Sequence, residues 1–233
     1  MIRWQPPGPY KVAFSTRAGG VSDGPYESLN LGRLTGDDVE RVDENRRRLC
    51  AEVGAAPDRL ALNRQIHSSV VHCAEPGARG ELGDGLWTEE PDLPVLAMSA
   101  DCLPIVIARV GDSDRPGVAV LHAGWRGLLA GIVGDGVRAL GGQTNAAIGP
   151  AIGPCCYEVG SEVAEPFTAA FGPDVLHGRN LDLWTAAERS LRAAGVEDVE
   201  RVDLCTSCNP ELFFSHRRTG KPRGVQGVIA RVS

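Results

Sequence analysis

The stretch Val118-Ala-Val-Leu-His-Ala-Gly-Trp-Arg-Gly127 joins an apolar run, an imidazole and a glycine turn. A short apolar run of this kind is typical of a buried β-strand. Gly124 permits a tight turn, and the residues that follow, 125–140, are predicted to form a helix. The sequence therefore predicts a strand that ends at His122 and leads directly into a helix.

Similar patterns occur on both sides of this segment. Apolar runs predict further strands at 11–15, 60–66, 70–73, 95–99, 104–109, 146–148, 199–205 and 224–230. Helical patterns are found at 37–53, where Asp37 or Asp38 can cap the first turn, and at 161–171 and 183–194. Strands and helices mix without the regular alternation of a doubly wound fold. We therefore expect an α+β fold, in which residues 1–233 form one mixed α/β domain with mixed β-sheets flanked by helices.

Composition and charge narrow the classes of function. The residues are 42% hydrophobic and 23% charged, with a formal net charge of −6. Because the arginines are scattered among acidic residues, nucleic acid is not expected as a partner. The N-terminus lacks a signal-peptide pattern, and no uncharged apolar run is long enough to cross a bilayer, so no membrane partner is expected. Seven cysteines in such a chain predict a reduced, cytoplasmic setting.

Three residues, His67, Cys102 and His122, each end or interrupt an apolar, strand-like run. Two imidazoles and one thiolate form a ligand set that suits zinc and leaves a fourth position for water. Their wide spacing matches no local metal-binding motif, so the residues alone leave two interpretations open. One is a metal site, and the other is a buried cysteine with two hydrogen-bonded histidines. Ligands gather at strand ends in α/β architectures, which favours a site.

Further motifs extend over nearly the whole chain. They include Phe-Ser-Thr-Arg-Ala-Gly-Gly-Val-Ser (14–22), Ser-Leu-Asn-Leu-Gly (28–32), Gln-Ile-His-Ser (65–68), Ser-Ala-Asp-Cys-Leu-Pro (99–104), His-Ala-Gly-Trp-Arg-Gly (122–127), Ile-Gly-Pro-Cys-Cys-Tyr-Glu-Val-Gly (152–160) and Phe-Phe-Ser-His-Arg-Arg (213–218). In this order they resemble the YfiH-type family, also called the laccase-domain or peptidoglycan editing factor family, whose members are named purine nucleoside phosphorylases. The resemblance implies a YfiH-like fold similar to the architecture of CNF-type cysteine hydrolases.

The resemblance places a catalytic zinc ion on His67, Cys102 and His122, and Cu²⁺ is a further candidate for the same ligands. Such an ion can lower the pKa of a bound water towards ~7, which suits deamination of a purine. It can also polarise a base or orient a phosphate during phosphorolysis. Cys102 is thus both a predicted ligand and a predicted catalytic residue.

Binding of phosphate and transfer of protons require side chains besides the three metal ligands. Arg17, Arg46 and Arg126 are the candidate phosphate-binding residues, because a guanidinium fork matches phosphate oxygens. A surface salt bridge is the alternative for each of them. Asp101 and Glu158 are the candidate catalytic carboxylates, and either could instead fix a ligand histidine.

Two features near the C-terminus receive no role. Arg223 is shifted by about one place from the family pattern. The segment Cys205-Thr-Ser-Cys208 could be half of a zinc or redox site, but the sequence has no second Cys-x-x-Cys pair, so we interpret it as structural or incidental. Cys155 and Cys156 are predicted to be packed thiols, although one of them could reach the site.

The implied function is phosphorolysis of adenosine, inosine and methylthioadenosine, with adenosine deamination at the same site. The partners are then a small-molecule nucleoside and phosphate. An alternative is a Cys-His or metal-dependent hydrolase that removes a wrong amino acid from a peptidoglycan precursor. In the Cys-His form, Cys102 is the nucleophile and His122 its base. A non-catalytic binding module is disfavoured by the open three-ligand set. A blue-copper laccase is not expected, because such oxidases need many His ligands and this chain has five His and no His-x-His pair.

Overall fold

The computed structural model describes residues 1–111 and 115–233. In chain order its strands are β1 (Ile2–Trp4), β2 (Tyr10–Phe14), β3 (Ala61–Arg64), β4 (Val71–Cys73), β5 (Arg79–Leu82), β6 (Gly85–Thr88), β7 (Val95–Ser99), β8 (Leu103–Arg109), β9 (Val118–Ala123), β10 (Thr144–Ile148), β11 (Leu176–His177), β12 (Asn180–Leu181), β13 (Asp198–Arg201) and β14 (Gln226–Val232). The α-helices are α1 (Val39–Glu52), α2 (Trp125–Leu129), α3 (Ile132–Leu140), α4 (Ser161–Phe171), α5 (Leu183–Ala193) and α6 (His216–Thr219). Short 3₁₀ turns lie at Gly24–Tyr26, Pro57–Arg59 and Pro173–Val175. Within the described ranges, no helix combines the length and apolar character needed to span a membrane.

The strands form two six-stranded sheets and one short hairpin. The first sheet has the order β1-β2-β14-β7-β3-β5, the second has the order β13-β10-β8-β9-β6-β4, and β11 pairs with β12. In the first sheet β3 runs parallel to β5 and β7, whereas β14 is antiparallel to β2 and β7. In the second, β4 is parallel to β6 and β10 to β13, whereas β9 is antiparallel to both of its neighbours. The predicted α+β class with mixed sheets is confirmed.

Alternating side chains build a four-layer core. Phe14 and Val228 of the first sheet share one cluster with Val106 and Val120 of the second, so the two sheets pack face to face. The next residues along these strands point the opposite way. Ile107 therefore packs with α3, α4 and α5 on the outer face of the second sheet, and α1 covers the outer face of the first.

The helix predicted over 125–140 is in fact two helices. α2 ends at Leu129, and α3 begins at Ile132 after Gly131, whose φ is +90°. This left-handed backbone conformation cannot continue an α-helix and is readily adopted by glycine. By contrast, the helix predicted over 37–53 is confirmed as α1, where the Asp38 side chain accepts a hydrogen bond from the backbone N–H of Glu40.

Several strand ends meet at one edge of the two sheets. His122 lies near the end of β9 and pairs with Pro104 of β8, so Cys102, just before β8, lies beside it. Asp84 immediately precedes β6, and its carbonyl accepts a 2.7 Å hydrogen bond from the backbone N–H of His122. His67 lies in the turn that follows β3. The fold thus gathers polar side chains from both sheets at this edge.

Candidate metal centre and its cavity

The fold brings His67, Cys102 and His122 together. One ligand atom from each residue lies within 4.8 Å of the others. The two imidazole rings have centroids 4.9 Å apart and planes at 75° to one another. His122 is buried, Cys102 is half-buried and His67 is exposed, so the cluster has one side towards solvent.

A buried carboxylate that the sequence analysis missed holds this cluster in place. Asp84 accepts hydrogen bonds from the backbone N–H groups of Ile66, His67 and Ser68 (3.1, 3.0 and 2.6 Å) and from the Ser68 hydroxyl (2.8 Å). It also accepts a 2.8 Å bond from Nδ1 of His122. Burial opposes ionisation, but these bonds, above all the one from His122, hold the pKa of Asp84 below its usual range. One carboxylate therefore positions two of the three predicted ligands.

Backbone conformation at the cluster is unusual. His67 and Asp101 have φ values of +61° and +95°, in the left-handed region that side chains other than glycine rarely adopt. Gly124 allows close approach of the backbone to the cluster, because a Cβ there would lie 3.0 Å from both Cys102 Sγ and His67 Cδ2, closer than ordinary van der Waals contact. Strained backbone and close approach of this kind are common at functional sites.

Cys102 and His122 polarise each other. Burial by itself would raise the pKa of Cys102, but the charge of His122 and hydrogen bonds to both imidazoles lower it to about 6. Burial likewise acts to lower the pKa of His122, and the Cys102 and Asp84 charges outweigh it and raise the value to about 9. The pair favours a thiolate at neutral pH, the form that binds metals and acts as a nucleophile.

The donor set fits a transition-metal ion. Two imidazoles and a thiolate are ligands that zinc and copper both accept, and three protein ligands leave a position open for a small molecule. Because His122 Nδ1 donates to Asp84, Nε2 is the ring nitrogen that a metal ion would bind, and its proton would be released on binding. The residues present therefore suit a metal centre that carries out chemistry.

A cavity of about 1090 Å³ adjoins the three residues and is strongly cationic. Its described lining contains one carboxylate, Asp101. Its cationic side chains are Arg33, Arg46, Arg64, Arg79, Arg217, Lys221 and Arg223. This balance contrasts with the net charge of −6 for the whole chain. An anionic ligand beside the metal centre would be stabilised by this excess of positive charge.

Of the three predicted phosphate-binding arginines, Arg46 lines the cavity. It is buried, its Nε donates to the carbonyl of Leu31 at 2.8 Å, and burial lowers its pKa to about 10. Arg17 and Arg126 are not among the described residues of the lining. Arg17 instead donates to the carbonyls of Glu27 (2.6 Å) and Pro210 (2.9 Å).

Arg126 lies over a cavity residue rather than in the lining. Its guanidinium stacks on the ring of Trp125, 4.2 Å from the ring centroid, and Trp125 itself lines the cavity. The Arg126 guanidinium therefore packs against one aromatic residue of the cavity wall.

The two predicted carboxylates have different surroundings. Asp101 lines the cavity and accepts hydrogen bonds from Thr206 Oγ1 (2.6 Å) and from the backbone N–H of Arg217 (2.7 Å). Glu158 is exposed, forms an ion pair with Arg179 at 3.0 Å, and is not among the described lining residues. The structure therefore brings Asp101, and not Glu158, to the cavity beside the His67–Cys102–His122 cluster.

Arg223, which received no role from the sequence, lies in the cavity. It is half-buried, and its Nε has no hydrogen-bond partner among the described residues. Burial lowers its pKa, while the charges of Asp101 and Cys102 act in the opposite direction. The sequence did not identify Arg223 as a cavity residue, because it is shifted by about one place from the family pattern. Its position in the cavity is set by the fold of the segment that carries it.

The fold and the site together define an α+β protein with a His₂Cys cluster that lines a cationic cavity. The chain belongs to the YfiH family. The family model, described as "Multi-copper polyphenol oxidoreductase laccase", matches residues 11–232.

Similar proteins cover nearly all of this chain. A protein of Pseudomonas aeruginosa named purine nucleoside phosphorylase is 38% identical over 94% of this chain and 92% of its own length. The purine nucleoside phosphorylase YfiH of Escherichia coli is 38% identical over 93% of this chain and 91% of its own length. Among solved structures, YlmD from Geobacillus stearothermophilus has a TM-score of 0.87 and 33% identity over 96% of this chain and 92% of that chain. A Neisseria meningitidis protein has a TM-score of 0.87 and is 31% identical, with 100% of this chain and 98% of that chain covered.

Proposed function

We propose that this protein is a zinc-dependent purine nucleoside phosphorylase that also deaminates adenosine. In phosphorolysis of adenosine, inosine or methylthioadenosine, a phosphate oxygen bonds to C1′ of the ribose and the C1′–N9 bond breaks. The purine leaves with the electron pair and takes up a proton, and the sugar is released as a 1-phosphate. The observation that carries the proposal is the His₂Cys set beside a cavity with seven cationic side chains and one carboxylate in its described lining.

Arg46 and Arg223 are the proposed phosphate ligands. Arg46 is held in one orientation by the carbonyl of Leu31, so little side-chain freedom is lost when an anion binds. Arg223 contributes an N–H group that has no partner among the described residues. A buried unpaired donor is costly, and a phosphate oxygen would remove that cost.

The purine base is proposed to bind against the apolar wall formed by Trp125, Ile152, Tyr157 and Leu183. Burial is the main reason that the pKa of Tyr157 is raised to about 12, so its hydroxyl stays protonated and can donate a hydrogen bond. An aromatic and aliphatic surface suits a flat heterocycle, and a small number of polar groups then fixes its orientation.

His67, Cys102 and His122 would hold the metal, and a zinc ion there supplies a Lewis acid that polarises a bound group. Cu²⁺ is the alternative ion for the same donors. Asp84 keeps His122 and the His67 turn in position.

Asp101 is the proposed proton carrier for both reactions. Each of its oxygens accepts one hydrogen bond, from Thr206 or from Arg217, and retains capacity for another. In deamination the 6-amino group leaves as ammonia and an oxygen from water replaces it, which also requires proton transfer. Arg17, Arg126 and Glu158 receive no role, because none of them is among the described residues of the cavity lining.

The test is phosphorolysis of adenosine by purified protein, with adenine and ribose 1-phosphate measured by chromatography. Activity should disappear after chelation and return with zinc, and Cys102→Ala should reduce it by about 10³-fold or more. Cys73→Ala is the matched control, since Cys73 is an exposed free thiol on β4. Full activity and full zinc content in Cys102→Ala would overturn the proposal.

The second candidate is the hydrolase that removes a wrong amino acid from a peptidoglycan precursor. It is favoured by the lowered pKa of Cys102 and the raised pKa of His122, the pattern of a thiolate nucleophile and its base. Such an enzyme adds water across an amide bond through an acyl-thioester on Cys102. Its activity should survive chelation and be abolished by iodoacetamide, the opposite of the result expected for the zinc enzyme.

A further inference from the structure

A second cluster of cysteines lies outside the cavity. Cys155, Cys156, Cys205 and Cys208 have sulfur atoms that all lie within 4.8 Å of one another. Cys208 Sγ is 3.3 Å from the sulfurs of both Cys155 and Cys156. A disulfide has an S–S length near 2.05 Å, so these are four free thiols in contact.

The separations match a single tetrahedral ion. With Zn–S bonds of about 2.3 Å and tetrahedral angles, sulfur atoms are about 3.8 Å apart. Two sulfur pairs are 3.3 Å apart and every pair lies within 4.8 Å, a range that contains this value. Small side-chain adjustments therefore bring all four sulfurs to bonding distance.

The backbone supports the thiolate form of the central cysteine. Cys205 is buried, and its sulfur accepts a hydrogen bond from the backbone N–H of Gly153 at 3.3 Å. The backbone N–H groups of Ser207 and Cys208 also point to this sulfur. Amide donors that surround a Cys-x-x-Cys sulfur orient it and disperse its negative charge, as outer-shell partners of metal ligands do.

The two loops are joined independently of the sulfurs. The backbone N–H of Thr206 donates to the carbonyl of Ala151 at 3.0 Å, which ties the loop after β13 to the loop after β10. Because each loop is already in place, binding of an ion would need little further ordering of the chain.

Two arginines lie against these loops. Arg217 donates to the carbonyls of Cys156 (3.2 Å) and Glu158 (3.0 Å), and Arg218 donates to those of Thr206 (2.6 Å) and Ser207 (3.0 Å). Zinc with four thiolates carries a net charge of −2, and two neighbouring guanidinium groups offset it.

We propose that Cys155, Cys156, Cys205 and Cys208 bind a second zinc ion with a structural role. Four protein ligands close the coordination sphere, which distinguishes this site from the open His₂Cys centre. Binding displaces the thiol protons into solvent and changes no oxidation state. The site would brace the cavity wall, because Ile152 and Tyr157 flank the Cys155-Cys156 pair and Thr206 donates to Asp101.

The test of the second zinc site is elemental analysis of purified protein. The protein is first loaded with zinc and then freed of loosely bound metal. Wild type should contain two equivalents per chain, Cys208→Ser one, and Cys102→Ala one, with Cys73→Ser as the control that keeps both. One equivalent in wild type, lost in Cys102→Ala and unchanged in Cys208→Ser, would overturn the second site. The zinc proposed for catalysis fails by a different result, full metal content in Cys102→Ala.

Cobalt substitution keeps the test decisive if a variant fails to fold. In wild-type protein, the thiolate-to-cobalt charge-transfer band should reach the intensity of five thiolates, four from the cluster and one from Cys102. A band of one-thiolate intensity would contradict the proposal. After denaturation with chelator, Ellman's reagent should count all seven cysteines as thiols. A smaller count, showing a disulfide within the cluster, would also overturn it.

Discussion

The two cysteine-containing clusters differ in what supports them. The His67–Cys102–His122 centre is built from a turn and from the ends of two strands. A buried carboxylate, Asp84, holds two of the three residues in position. The four-cysteine cluster lies on two loops, with backbone amides and arginine contacts behind it. The first adjoins a cavity of about 1090 Å³, and the described lining of that cavity includes none of the four cysteines.

On the proposals made above, the number of ligands distinguishes a reaction centre from a structural metal site. Three ligands beside a cationic cavity leave room for a substrate, whereas four sulfurs enclose an ion completely. The two clusters are nevertheless connected. Asp101 precedes the ligand Cys102, and its carboxylate accepts a hydrogen bond from Thr206, which follows Cys205. A change in one cluster can therefore be tested for its effect on the other.

A large effect is expected from Asp84→Asn, the substitution that removes the support peculiar to the His67–Cys102–His122 cluster. The amide keeps one acceptor oxygen but presents N–H groups to backbone donors and removes the charge that orients His122. Metal affinity at the His₂Cys centre should fall by about 10–100-fold. The free energy of unfolding should drop by about 1–3 kcal/mol, because buried donors lose their partner.

Competition with a chromophoric chelator measures the affinity, and urea denaturation measures the stability. Asp135→Asn is the control, since that carboxylate forms an exposed pair with Arg138 within α3. An unchanged affinity in Asp84→Asn would remove the main distinction drawn between the two clusters. Loss of metal from the four cysteines as well would show that they depend on the same carboxylate.

A smaller effect is expected from Arg223→Lys. Lysine keeps the charge but loses the planar fork, so the KM for phosphate should rise by about tenfold or more while the KM for adenosine changes little. Arg17→Lys is the matched control, because Arg17 donates to loop carbonyls and is not among the described lining residues. Equal effects of the two substitutions would mean that Arg223 acts through folding rather than through phosphate.

Much of the fold follows from local sequence pattern. The central strands β7, β8 and β9 are continuous apolar runs, buried on both faces, and their predicted positions are confirmed within a residue. β5 was missed because Arg79–Leu82 is exposed throughout and carries no apolar signal. Short edge strands form because a neighbour offers hydrogen bonds, and that neighbour is invisible in the local sequence.

The site was predictable to a smaller extent. The three ligands end apolar runs, a local signal, whereas Asp84 acts through donors from a turn and a strand that only the tertiary fold brings to it. The sequence has no second Cys-x-x-Cys pair, and for that reason the spatial neighbours of Cys205 and Cys208 were missed. Their neighbours are the adjacent Cys155 and Cys156, a spacing that no Cys-x-x-Cys pattern describes.

The smallest effect is expected from Glu158→Gln, which asks whether the cysteine-bearing loop supplies a catalytic carboxylate. The side chain is 55% exposed and pairs with Arg179, a surface ion pair worth about 0–1 kcal/mol. The contact that matters for the loop comes from the Glu158 backbone carbonyl, which accepts from Arg217 and is unchanged by the substitution. Phosphorolysis of adenosine should therefore stay within about twofold of wild type, with both zinc equivalents retained.

Asp101→Asn, measured beside it, should lose activity by about 10²-fold or more, since Asp101 is the one carboxylate in the described lining of the cavity. If Glu158→Gln loses as much, then the proton carrier lies on the loop of the four cysteines, and the division into a reaction centre and a brace no longer holds.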